Sequence, residues 1–528
     1  MRTDHRAIFR AACLIAALFV AGYSAARSDD TDKDSQEKQY RAKIVALRVT
    51  QQYFDEALPW TKKSPEVVEG TAVVISKRLL LTQANLVQNA TFIQVEKLGR
   101  ADWIPARLVH RDSAINLALL TVDEPGFFDD LEPTRIAANV DTKGPVHSVR
   151  WMERQLEVSN SRPGRIEVLE SPYGSVHHAF LRLSTDFSNG GHGEPVFAGN
   201  QLIGLTVMQD GQMATVIPAE ILKAYAESPA RDGDIEHYRG FASIGSLRWQ
   251  TNTDPALVAY LGLEGEPRGA FIRQAPWGST GCSSLRPRDI LLELDGHEID
   301  AIGNYNHPLY GQLRFDNIVV EGHAPGDVVP ARVFRDRKFL DIEIELRTNP
   351  SSARLIPWRR SDSAPPYLVA GGFLFRELDG RYLYTWGSDW RTQAPNQLVY
   401  FYDLLGVAQS PDRRRIIVVS QVLPSEYNIG YHGLTDLPVK AINGHPIDSI
   451  ADVEQALEKP VDGFQRILFY PNSTIREAVL DAATFDAATD AILAAYEVPD
   501  RLRLPSEPLP DLGPTCDDGA ALQSVVSD

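Results

Sequence analysis

Ser184-Thr-Asp-Phe-Ser-Asn-Gly-Gly-His192-Gly-Glu-Pro-Val-Phe197, followed by Leu202-Ile-Gly-Leu-Thr-Val-Met208, is the stretch on which the fold turns. Gly190, Gly191 and Gly193 interrupt both helical and strand periodicity. A chain that bends so tightly between two strand-like runs does so to present backbone N–H groups or one side chain, here His192.

Working outward, short apolar runs separated by turn residues fill the region from Gly70 to about Pro218. Strands are expected at Thr71–Ile75, Phe92–Val95, Ile104–Val109, Leu117–Val122, Ile166–Leu169, Ala179–Leu183, Leu202–Met208 and Met213–Ile217. No alternation of strand and helix appears, which disfavours a hydrolase of the Rossmann or α/β type and favours barrels or a sandwich. Helical spacing begins only at Pro218-Ala-Glu-Ile-Leu-Lys-Ala-Tyr-Ala226, with proline at the first turn, where its missing N–H costs nothing. Upstream, Tyr40–Thr50 reads as a first strand or a short helix, and Phe54–Trp60 as a segment that packs on the barrel or on a neighbouring subunit.

The glycine-rich stretch resembles the nucleophile loop of chymotrypsin-like serine proteases, and within them the Deg/HtrA family, whose loop reads Asn-x-Gly-Asn-Ser-Gly-Gly-Pro before a Val-Ile-Gly strand. Aligned on Gly190, Gly193 and Pro195, His192 stands at the nucleophilic serine and Glu194 at the second glycine of the Ser-Gly-Gly run. The family's Leu-Thr-Asn-Ala-His-Val-Val is similar to Leu81-Thr-Gln-Ala-Asn85-Leu-Val87, and its Cys-Asp-Leu-Ala-Leu-Leu to Ile115-Asn116-Leu-Ala-Leu-Leu120. The resemblance therefore puts Asn85 at the histidine base, Asn116 at the orienting aspartate, and Gly190, Gly191, Gly193 and Glu194 in the oxyanion loop. All three triad positions are substituted together, with their flanking residues intact.

Beyond the linker Ser228–Asp234, Gly240-Phe-Ala-Ser-Ile-Gly245 opens a second unit that includes Leu285-Arg-Pro-Arg-Asp-Ile-Leu-Leu-Glu-Leu-Asp-Gly296. The order of loop, Leu-x-Pro-x-Asp-Ile motif and Asp-Gly turn resembles a PDZ domain. In such a domain Gly240, Phe241, Ala242, Ser243, Ile244 and Gly245 would present N–H groups and an apolar pocket to a peptide that adds as a strand. After the joint Ser363-Ala-Pro-Pro366, Val369-Ala-Gly-Gly-Phe-Leu-Phe375, Val418–Leu423, Leu437-Pro-Val-Lys-Ala-Ile-Asn-Gly-His445 and the amphipathic Ile450–Leu457 resemble a second, diverged PDZ domain, most like the plant-type members with two. The implied architecture is all-β dominated, a chymotrypsin-like double β-barrel followed by two PDZ-like domains. Its expected segments are a signal peptide (1–26), a disordered leader (27–39), the barrels (40–227), the PDZ-like domains (235–348 and 364–500) and a disordered tail (505–528).

Composition sets the remaining bounds. The 528 residues carry a formal charge of −17, which argues against nucleic-acid or anionic-membrane affinity. Arg2, His5, Arg6 and Arg10 precede an apolar run too short to span a bilayer, then Ser24-Ala-Ala26, the pattern of a cleaved export signal to the periplasm or outside. After cleavage only Cys282 and Cys516 remain, so no disulfide framework is expected. His192 with Glu194, even with His110, His177 or His178 added, falls short of a recognisable ligand set for zinc, and no metal or cofactor is expected.

An amide at Asn85 is no base, and Asn116 cannot stabilise an imidazolium as a carboxylate does. Three functional readings follow: a catalytically inactive, exported Deg/HtrA-like protein that binds proteins or peptides as an adaptor, scaffold or chaperone-like factor; an active serine endopeptidase of envelope quality control; or a purely structural oligomer, trimeric by family resemblance.

Overall fold

The computed structural model describes residues 38–512 apart from 98–99, 101, 142, 153–154, 172–175, 349–352, 359–361, 404–412, 472 and 507. The stretch read as an export signal, most of the expected leader and the end of the expected tail lie outside the described residues. Strands hold 39% of the described residues and helices 16%, as an all-β-dominated architecture requires.

Two seven-stranded layers come first, antiparallel except where Arg135–Ile136 pairs parallel with Gln201–Asp210. One runs in the order Ile104–Pro105, Ala90–Glu96, Ile44–Gln51, Glu66–Val74, Leu80–Gln83, Leu117–Thr121, Arg107–Asp112. The other runs Pro195–Ala198, Val146–Met152, Gln155–Glu170, His177–Ser184, Met213–Pro218, Gln201–Asp210, Arg135–Ile136 and closes on itself where Pro195–Ala198 also pairs with Gln201–Asp210. Seven of the eight strands read from the sequence are present; Ile104–Val109 is instead split into Ile104–Pro105 and Arg107–Asp112 at opposite edges of the sheet, and the ambiguous first segment is strand Ile44–Gln51. In the first layer alternate residues face two different cores, Leu80, Ala118 and Leu120 one and Leu81, Leu117 and Leu119 the other; Ile44, Leu81, Leu117, Phe180, Phe197 and Leu205 share the second and are wholly excluded from water, each contributing about 1.5–3 kcal/mol. Helix Ala219–Ala226 then packs Ile221, Leu222 and Tyr225 against that core.

The same core continues into the next unit through Ala230, Phe241, Ala242, Ile244 and Leu247. There the sheet order is Arg248–Gln250, Ala270–Gln274, Ile290–Leu294, Val328–Arg335, Lys338–Glu345. Asp289, fully buried, is held by both Nε and Nη2 of Arg335 at 2.7 Å, and Asp295 and Gly296 both take positive φ, so the Asp-Gly hairpin turn forms as read.

The last sheet has eight strands, running from Glu477–Asp481 through Phe464–Phe469, Leu437–Ile442, Ile417–Val422, Phe373–Glu377 and Tyr367–Ala370 to Leu502–Arg503. An aromatic-rich insertion invisible to strand periodicity follows Glu377: helices Gly380–Leu383, Trp390–Gln393 and Asn396–Asp403 bury Tyr382, Trp390 and Phe401 in a core of their own.

Three expectations change. Phe54–Trp60 packs on the last domain of its own chain: Trp60 lies 5.5 Å from the Tyr367 ring, Gln421 donates to the Ala57 carbonyl, and Arg503 to that of Pro59. A loop between two barrel strands can reach there because the third domain folds back onto the barrel. The start of the tail is also placed: Leu512 is buried against Gly278, and Arg347 donates to its carbonyl. Cys282, itself buried, is disulfide-bonded, its partner lying outside the described residues, so a staple is present where none was expected.

Candidate active site

The turn from Gly190 to Glu194 sits where the two barrels meet. The Thr71 N–H, on strand Glu66–Val74, donates to the His192 carbonyl at 2.9 Å. Gly193 has φ +82, and a Cβ there would stand 2.7 Å from the Thr71 carbonyl and 3.0 Å from Thr82 Oγ1; only glycine fits without displacing backbone. The loop before it is pinned by Arg150, which donates to the Asn189 carbonyl and lies over the Phe187 ring, and by Gln209 Nε2 on the Phe187 carbonyl at 2.7 Å.

The structure brings the three substituted positions to this junction. Asn85 lies on the 3-10 turn Ala84–Val87 and Asn116 at the start of strand Leu117–Thr121. Asn116 is fully buried with φ +58, and its Oδ1 accepts from the Asn85 N–H at 3.0 Å. Its amide donates to Gln83 Oε1 at 3.4 Å, and Gln83 Nε2 donates to the Gly191 carbonyl at 2.5 Å. A chain of neutral amides thus runs from Asn116 to the glycine loop. Asn85 Oδ1 is buried without a hydrogen-bond partner among the described residues, and His192 is exposed.

Glu194 is the residue whose role the sequence underplays. Its buried carboxylate folds back so that Oε2 accepts from the N–H groups of both Gly191 and His192, each at 3.0 Å. Burial pushes its pKa above the usual carboxyl range, against the opposing pull of those N–H groups and of His192. The turn's amide donors therefore face an internal carboxylate oxygen. An oxyanion developing at the same donors would meet negative charge where a protease offers positive dipoles.

The loop read as peptide-binding is closed. Phe241, Ala242, Ser243 and Ile244 are buried. The Ser243 N–H donates to the Arg347 carbonyl at 2.9 Å, its own carbonyl accepts from Thr280 Oγ1 at 2.6 Å, and Gly245 N–H turns to Ser243 Oγ. Gly240 keeps φ +74, as its permissive backbone requires. The corresponding loop of the third domain is likewise occupied from within, Gly371 N–H donating to Thr489 Oγ1 at 2.8 Å. Sequence could not show this, because the Arg347 and Thr489 acceptors each come from a segment about a hundred residues away.

Among the described residues no group of three or more His, Cys, Asp and Glu side chains could hold a metal. His110 bonds the Tyr225 hydroxyl at 3.0 Å. His178, fully buried and stacked on Phe180, is pushed down to about 4 by burial.

The barrels and the junction turn define a trypsin-like peptidase domain, joined to PDZ-type sheets. Residues 70–205 match the trypsin-like peptidase domain family, and residues 356–502 a PDZ domain family. The chain is 24% identical over 469 residues to the chloroplastic protease Do-like 2 of Arabidopsis thaliana, covering 86% of this chain and 74% of the relative. It is 22% identical over 446 residues to the mitochondrial protease Do-like 4 of the same plant, covering 84% and 81%. Among solved structures, the HtrA-type protease AlgW with a decapeptide overlaps 60% of this chain and 98% of its own, at a TM-score of 0.44 and 16% identity. Across most of its length the chain is thus similar to proteases of the Deg/HtrA family.

Proposed function

We propose that this chain is an exported Deg/HtrA member that does not hydrolyse peptide bonds and acts by binding proteins. The observation that carries the reading is the Glu194 carboxylate on the N–H groups of Gly191 and His192, beside Asn85, Asn116 and His192 at the positions the family uses for base, orienting acid and nucleophile. Acyl transfer needs an activated nucleophile and free oxyanion donors; an amide supplies no base, and the donors already have an acceptor. The arginines and apolar run at the N-terminus support export.

Within that reading, scaffold and oligomer roles are favoured over peptide capture at Gly240–Gly245, because the Ser243 N–H is engaged by Arg347 and Phe241 and Ile244 belong to the core shared with the barrel. A peptide adding at this loop would have to displace both. The test incubates the full chain with unfolded casein and with a fluorophosphonate probe. Neither cleavage nor labelling is expected; labelling of a serine that is abolished by its change to alanine would restore the active-protease reading. A parallel titration with C-terminal peptides is expected to show no saturable binding that Phe241→Asp weakens.

A further inference from the structure

A cavity of about 430 Å³ lies where the second barrel, the first PDZ-type sheet, the helical insertion and Leu512 meet. Four guanidiniums line it, those of Arg248, Arg273, Arg354 and Arg391, against two carboxylates, Glu170 and Asp403. Each carboxylate already pairs with one arginine: Glu170 with Arg354 at 3.6 Å and Asp403 with Arg391 at 3.3 Å. Arg248 and Arg273 have no ion-pair partner among the described residues, so the lining keeps two uncompensated positive charges in a chain whose overall charge is −17.

The polar wall points the same way. Ser246 Oγ and His177 Nδ1, both lining the cavity, are buried and lack hydrogen-bond partners among the described residues. Buried polar atoms without partners are destabilising unless something in the cavity meets them. Burial and the neighbouring Arg354 and Arg273 also lower the Arg248 pKa, against the opposing pull of Asp403.

We propose that this cavity binds a small oxyanion carrying two negative charges. Its charge would neutralise the Arg248 and Arg273 pair, its oxygens would accept from their N–H groups, and the Ser246 hydroxyl and the His177 ring would supply hydrogen bonds that the protein alone leaves unmade. The cavity is much larger than a bare ion, so an organic body can accompany the anionic group, and Trp249, Trp277 and Tyr402 give it apolar walls. This site is separate from the glycine loop, and the inference holds whether or not the chain is a protease.

The full chain is titrated by calorimetry with inorganic phosphate and, separately, with succinate, each at an ionic strength matched with potassium chloride. One-to-one binding of either dianion over chloride is expected; phosphate alone points to a phosphoryl group, succinate to a dicarboxylate. Arg248→Gln with Arg273→Gln should weaken that binding by about tenfold or more, as expected for lost charge-assisted bonds. Arg332→Gln, on an exposed pair with Asp341, should leave it unchanged. Should the double variant fold poorly, Arg273→Gln alone is used, since that side chain is exposed, and the rise in Tm on adding phosphate is compared with the parent's. No binding above chloride, or an equal affinity and Tm rise in the variants, overturns the proposal.

Discussion

Glu194 can be interrogated by two substitutions that differ in one respect. Glu194→Gln keeps an oxygen where Oε2 accepts from Gly191 and His192 but removes the ability to ionise. Glu194→Ala removes the acceptor and leaves two amides of a tight turn without a partner. With both contacts at 3.0 Å in a buried setting, and about 1–3 kcal/mol for each orphaned donor, the alanine variant should be less stable than the glutamine variant by about 2–6 kcal/mol. The pH dependence adds a second sign. Burial raises the folded pKa of Glu194 above its ordinary 4.5, so the folded state binds this proton more tightly than the unfolded state. Its contribution therefore favours folding at low pH and declines as pH rises from the ordinary carboxyl range through the raised value. Glu194→Gln removes that decline and should match or exceed the parent above this window. Urea unfolding of the full chain across pH, with hydrogen exchange at the Gly191 and His192 amides as the local readout, measures both. If those amides stay equally protected in Glu194→Ala, or if alanine and glutamine variants are equally stable, the carboxylate does not hold the turn and the account of the blocked donors is wrong.

Other outcomes follow from neighbouring geometry. Restoring Asn85→His, Asn116→Asp and His192→Ser together should give little ester hydrolysis until Glu194→Gly is added; equal rates for the triple and quadruple variants would show Glu194 to be neutral. Glu56 pairs with Arg376, 1% exposed, and with Arg381, 10% exposed, so Glu56→Ala leaves two largely buried cations without their acid, costs about 3–5 kcal/mol, and should expose the barrel–third-domain contact to limited proteolysis; an unchanged digestion pattern refutes the latch. His178, neutral in the fold with a pKa of about 4 against 6.5 unfolded, contributes stability that is fully present above pH 6.5 and is lost as pH falls towards 4, about 3 kcal/mol in all; His178→Phe should flatten that part of the acid-unfolding profile.

The barrels were legible because short continuous apolar runs such as Leu117-Ala-Leu-Leu120 and Leu202–Val207, buried at every position, are bounded by turn residues, and the glycines of 190–193 mark the turn whatever surrounds it. Asn85, Asn116 and His192 were legible for the same local reason, each embedded in flanking residues that fix its alignment. Tertiary structure alone decided what fills the donors and what closes the loops. Glu194 reads in sequence as a misplaced acid; the junction of the two barrels turns its carboxylate back onto Gly191 and His192. Ser243 is closed by Arg347 and Gly371 by Thr489, and the cavity gathers Arg248, Arg273, Arg354 and Arg391 from four separate segments. Periodicity reports which face of an element is buried; it carries no information about which distant donor, acceptor or charge packing brings to that face, because that pairing exists only once the chain has closed on itself.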